Sequence, residues 1–168
     1  MASNRHLGRI IALQTLYEYE FRERSGDWPD LDEILKRNLD RYEKAVDDKE
    51  FVKKLATGVV KNASQLDARL TPLAPDWPIA QIAGVDRTIL RMSVYEMENF
   101  ADFVPPKVVI NEAVELAKSF GSDNSSKFIN GVLGTLYREM YPESQSDDKA
   151  PKGVKKVEEK DGKKEKGK

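Results

Sequence analysis

From Ile10 to Met140 the large apolar residues recur at intervals of three and four, and nowhere do they alternate for long. A spacing near 3.6 lines up one side of a helix, whereas a half-buried strand needs a period of two. The chain is therefore expected to be all-α.

The spacing predicts seven helices. The first runs roughly over 4–24, with Ile10, Leu13, Leu16, Tyr17 and Phe21 on its apolar side. Ser-Gly-Asp-Trp-Pro at 25–29 breaks it. Asp30 can cap a second helix reaching about Tyr42. Asp47 or Asp48 opens a third, with Phe51, Val52, Leu55 and Val59 inward, and Ser64 caps a short fourth over 65–73. The segment TPLAPDWPIAQIAG at 71–84 is rich in proline and marks a hinge between two halves. The fifth helix, 85–100, is apolar nearly all round, through Val85, Ile89, Leu90, Met92, Val94 and Met97. Such a helix is usually central. Pro105-Pro106 opens the sixth, where a missing N–H costs nothing, and Gly121 follows its end. Ser125 or Ser126 caps the seventh, which reaches Tyr141. Two small helical bundles packed together satisfy this pattern.

Composition divides the chain once. Mean hydropathy is -0.62, polar for a compact domain. The excess lies in 144–168, which holds nine Lys, six Asp/Glu and no aromatic residue. That segment cannot bury enough surface to offset its ordering entropy, so it is read as a disordered tail after a helical domain over 1–143. It is either a solubility tail or a weak electrostatic tether for RNA. Its charge is 9 − 6 = +3 against -1 for the whole chain, leaving -4 on the domain. A nucleic-acid site must then be a local patch.

Chemistry is narrowly bounded. Cysteine is absent and His6 is the only histidine, so disulfides, thiolate nucleophiles and multi-histidine metal sites are excluded. There is no Gly-rich phosphate loop, H-E-x-x-H or G-x-S-x-G motif. The chain is read as a non-enzyme with neither cofactor nor metal. No apolar run approaches the ~20 residues of a membrane span, and the start lacks a signal-peptide core. The expected location is the cytoplasm.

Four features suggest binding instead. Arg5 and Arg9 lie four apart beside small Gly8 and Ala12, with His6 between them. On an exposed helix face they would contact phosphates, with room for a backbone to approach; otherwise they form an ordinary solvated face. The loop Phe120–Phe128 offers hydroxyls, an amide, N–H groups at a helix start, Lys127 and an aromatic ring. It suits an RNA strand whose bases stack on Phe128, although spacing alone favours Phe128 as a core anchor. Gly131 sits inside a helix at a cost of ~1 kcal/mol against Ala, which tight helix packing or access for a partner would offset; packing is favoured. Tyr17, Glu18, Asp86, Arg87, Arg91 and Tyr95 make either a protein-binding strip or an internal Asp–Arg lattice.

Three stretches carry a resemblance. ALQTLYEYE (12–20), GVDRTILRMSVYEM (84–97) and PPKVVINEAVELAKSFGSDNSSKFINGVLG (105–134) resemble, in order, the signatures of the NusB family of transcription antitermination factors. The likeness runs from about Arg5 to Tyr141. It implies an all-helical NusB-like fold and a role without catalysis. Members bind the boxA element of ribosomal RNA leader transcripts together with NusE, also a ribosomal protein, and help RNA polymerase elongate through terminators.

Carried over by position, the resemblance implies RNA contacts at Arg5, His6, Arg9, Pro106, Lys107, Asn124, Lys127 and Phe128. It implies a NusE-facing surface at Tyr17, Phe21, Asp86, Arg91 and Tyr95. Arg5, Arg9, Lys107 and Lys127 would position phosphates while Phe128 stacks on a base. With so few cations, affinity should be modest alone and rise with NusE. Two other roles fit the same residues. One is a module assisting an rRNA cytosine methyltransferase, whose N-terminal domain resembles NusB; no methyltransferase domain follows here, so a separate enzyme would be needed. The other is a helical adaptor that binds only protein.

Overall fold

A computed structural model describes residues 5–143. The expected tail lies outside the described residues. Among these there are seven α-helices and no strand: α1 (Arg5–Arg24), α2 (Leu31–Arg41), α3 (Lys49–Lys61), α4 (Ala63–Leu70), α5 (Gly84–Asn99), α6 (Pro106–Phe120) and α7 (Ser125–Met140). Single 3-10 turns at Thr71–Leu73 and Ile79–Gln81 lie within the proline-rich hinge.

Local chemistry explains the boundaries. Asp30 caps α2, accepting from the N–H groups of Asp32 and Glu33. Asp48, rather than Asp47, caps α3 by accepting from Phe51 N–H at 3.0 Å. Two expected caps are displaced. Asn62 precedes α4, so Ser64 lies inside it, and Asn124 precedes α7, so Ser125 is the first helical residue. Ser125 still serves the turn, since its Oγ accepts from Ser122 N–H at 2.9 Å. Gly121 ends α6 without the left-handed backbone expected of it. Its need is for space: a Cβ there would lie 2.6 Å from Ser125 and 2.7 Å from the Ala117 carbonyl oxygen.

Helices α1, α2 and α3 form one group and α5, α6 and α7 a second, with α4 and the 3-10 turns between them. The groups share one continuous core, because α1 and α3 also pack on α5. Ile89, Leu90, Val94 and Met97 of α5 are fully buried, as the all-round apolar pattern required. Gly8 and Ala12 are spent here. Both are buried, and a Cβ on Gly8 would meet Val52 of α3 at 3.1 Å. Gly58 serves in the same way, since any side chain there would collide with the Tyr95 ring.

The core also encloses charge. Arg9 of α1 is 3% exposed and donates from Nε and Nη2 to Glu96 of α5 at 2.7–3.1 Å. Burial holds the Glu96 carboxyl above its ordinary range, an effect that the bonds from Arg9 only partly oppose. Arg87 of α5 donates to Glu20 of α1 and to the carbonyl oxygens of Ile79 and Ile82. That guanidinium ties the hinge to both groups.

A buried ion pair with one partner removed leaves an uncompensated charge. Arg9→Met is therefore expected to lower the unfolding free energy by about 3–5 kcal/mol, read from urea denaturation. The double variant Arg9→Met with Glu96→Leu is expected to recover most of that loss.

Candidate nucleic-acid and partner interface

The predicted RNA-contacting residues separate into two clusters at opposite ends of the α6–α7 pair. Lys107 lies at the start of α6, Arg5 lies against Phe103 just before it, and His6 reaches the middle of the same helix. His6 Nδ1 lies 2.7 Å from Glu112 Oε2 of α6, and Lys107 Nζ lies 5.8 Å from the ring centroid of Tyr137 in α7. Asn124, Lys127 and Phe128 occupy the other end, where α6 turns into α7. The 15 residues of α6, at ~1.5 Å each, set these ends roughly 20 Å apart. The arrangement is a line rather than a single patch.

Arg9 does not belong to that line. Two arginines on one exposed face were expected, but Arg9 is buried against Glu96 and the Phe51 ring. Arg9 lies three residues, about 300° of helical rotation, beyond His6, enough here to turn Arg9 inward while His6 faces solvent. Arg5 is held differently. Its guanidinium carbon lies 5.5 Å from the Phe51 ring centroid and 5.2 Å from that of half-exposed Phe103. Two aromatic faces orient this cation without neutralising it. Phe103 carries no signal at helical spacing, so sequence reasoning missed it.

Lys107, Asn124 and Lys127 are exposed, and Phe128 is half-buried against the core. Phe128 is thus partly the core anchor that spacing favoured, with the rest of its ring accessible. Gly131 contradicts the favoured packing explanation. It is exposed, and a Cβ there would meet nothing within 4 Å. It lies one turn beyond Lys127 on α7, so it leaves the surface flat along the path between the two clusters.

The expected partner-facing strip is divided too. Tyr17 and Phe21 are exposed on α1, Phe21 to 62%, and the Tyr17 ring lies against Gly84 at the start of α5. Arg91 instead donates to both oxygens of Asp67 at 2.7 Å and reaches Glu20 at 3.4 Å. Desolvation opposes its charge, and Asp67 and Glu20 outweigh it, raising the pKa above the ordinary arginine value. Tyr95 fills the space over Gly58 and meets Phe100 edge-on at 5.5 Å. Asp86 is buried and lies beside Asn124 and Phe128. Hence the internal lattice accounts for Arg87 and Arg91, while Tyr17 and Phe21 keep a free surface.

Among the described residues no cluster of side chains could hold a metal ion, and no helix is long and apolar enough to cross a membrane. What remains is an all-helical domain that presents cations and aromatic rings along one helix pair. Comparison with known proteins gives the family. The sequence profile of the NusB family matches residues 6–138, and the chain belongs to that family. The transcription antitermination protein NusB of Roseiflexus castenholzii is 43% identical over 143 residues, covering 83% of this chain and 97% of its own. That of Chloroflexus aggregans is 40% identical over 149 residues, covering 88% and 96%. Among solved structures, T. maritima NusB superposes with a TM-score of 0.73 at 32% identity, covering 88% of this chain and 99% of its own. A chain from the crystal structure of antitermination factors NusB and NusE in complex with dsRNA gives 0.69 at 26% identity, covering 83% and 99%.

An open glycine within a helix is a cost without a packing return. Gly131→Ala is expected to stabilise the protein by about 1 kcal/mol, raising the melting temperature by about 3 °C in calorimetry.

Proposed function

We propose that this chain is a transcription antitermination factor that binds boxA RNA of ribosomal RNA transcripts together with NusE. As a non-catalytic adaptor in the cytoplasm, it supports elongation by RNA polymerase through terminators. One observation carries this reading: exposed cations and an aromatic ring run along α6–α7 in a fold shared with the NusB–NusE–dsRNA complex. In this reading Arg5, His6 and Lys107 hold phosphates at one end of the strand. Lys127 and Asn124 hold them at the other, where Phe128 stacks on a base. Arg9 acts from beneath by fixing the first turn of α1, and Lys107 rather than Pro106 provides the polar contact at the start of α6. Tyr17 and Phe21 form the NusE-facing surface. An exposed aromatic pair suits a protein contact, whereas Arg91 and Tyr95 support the helices that carry it.

Anisotropy of a labelled boxA RNA tests the reading. Phe128→Ala is expected to weaken binding by about 1–3 kcal/mol, and adding NusE is expected to tighten it. With Arg9 withdrawn, three arginine and lysine side chains remain on the path. At ~0.7 per single-strand phosphate, the slope of log K against log salt should lie near −2. A much steeper slope would bring the Lys-rich segment beyond residue 143 into the contact. Capture of NusE without any RNA binding would leave an adaptor that binds only protein.

A further inference from the structure

Between the proline-rich hinge and the start of α7 lies a pocket of about 310 Å³, lined by Trp77, Ile82, Asp86, Ser122, Asn124 and Phe128. Trp77 stands at its edge, 54% exposed. Asp86 is 8% exposed, and its Oδ1 has no hydrogen-bond partner. Among the described residues the one other buried side-chain polar atom without a partner is Arg5 Nε, a donor held between two aromatic rings; the remaining buried polar residues are bonded, Arg9 with Glu96, Thr15 with Asn38, Arg87 with Glu20, Ser125 with Ser122, and Thr88 and Ser93 with helix carbonyls. A buried acceptor left without a donor is rare and costly, and the residue that carries it lines the pocket, with Oδ1 itself just beneath the pocket surface. Trp77 is not explained by the core either, since more than half its surface faces solvent.

We propose that this pocket takes one unpaired nucleobase of the bound RNA, guanine by preference. The base would stack between Trp77 and Phe128 and turn its N1–H and N2–H edge toward Asp86. A carboxylate oxygen left without a donor selects a group that donates, and guanine sets two donors side by side. Flat aromatic walls suit any base, and the carboxylate supplies the discrimination. Ser125 N–H is spent on the Ser122 carbonyl oxygen at 3.0 Å, but the Asn124 side chain makes no cap bond to α7, so its amide remains for the neighbouring phosphate. Arg87, one residue further on, holds the carbonyls of Ile79 and Ile82 and keeps the hinge side of the pocket in place. The proposal rests on the RNA-binding reading above. It goes further by adding Trp77, and by giving Asp86 a base rather than a protein partner.

The test is anisotropy titration of the full chain with labelled single-stranded boxA RNA and with copies in which each guanosine in turn is replaced by inosine, which lacks the N2 amino group. The proteins are wild type, Trp77→Ala, Trp77→Phe, Asp86→Asn and Phe128→Ala, each checked for helical content by circular dichroism. Trp77→Ala is expected to weaken binding by about 5- to 150-fold, with Trp77→Phe close to wild type. At one guanosine, inosine should cost wild type about tenfold and cost Asp86→Asn nothing. The pocket assignment is overturned if Trp77→Ala binds like wild type while Phe128→Ala is weakened. It is overturned too if no guanosine shows that difference between wild type and Asp86→Asn. If Asp86→Asn instead impairs capture of NusE without RNA and leaves RNA affinity alone, the pocket receives a protein side chain. Failure of wild type to bind any of these RNAs removes the RNA reading and this inference together.

Discussion

The fold depends on burying one helix, α5, on every side. A helix needs a covering layer wherever it is apolar, so α1 and α3 close over one side and α6 and α7 over the other. Closing over α5 also buries polar groups, and each must be satisfied. Arg9–Glu96 and Arg87–Glu20 do so across the α1–α5 contact, by charge-assisted bonds between helices far apart in sequence. These pairs fix the azimuth of α1. His6 then meets α6, and Tyr17 and Phe21 lie outside.

The candidate interface follows from that scaffold. Antiparallel packing of α6 and α7 places Lys107 and Phe128 at opposite ends of one layer, and α1 adds Arg5 at the Lys107 end. Cations spread along a line suit an extended single strand better than a compact anion. The open position at Gly131 lies along the same layer. A rigid helix pair holds these groups at constant spacing, so little ordering is needed when a strand binds.

The helices were legible in the sequence because each depends on local spacing. The central role of α5 was legible for the same reason, as were the Asp30 cap and the proline entry to α6. Arg9 was not. Arginine at a helix start looks the same whether it faces water or a buried carboxylate, and the deciding Glu96 lies 87 residues away. Gly131 and Gly58 make the same point in opposite senses. Both are helical glycines, yet only Gly58 has a ring pressed against it.

The sequence by itself determined the all-α class, the order of the helices, the family and the residues available to meet RNA or protein. Those properties depend on local periodicity and on strings of residues that survive without knowledge of contacts. Tertiary structure alone decided which charges are spent inside. It turned Arg9, Arg87 and Arg91 into internal ties and left Asp86 unpaired beside Trp77 and Phe128. The physical reason is that a side chain's charge is local, whereas its partner and its access to water are set by how distant helices pack.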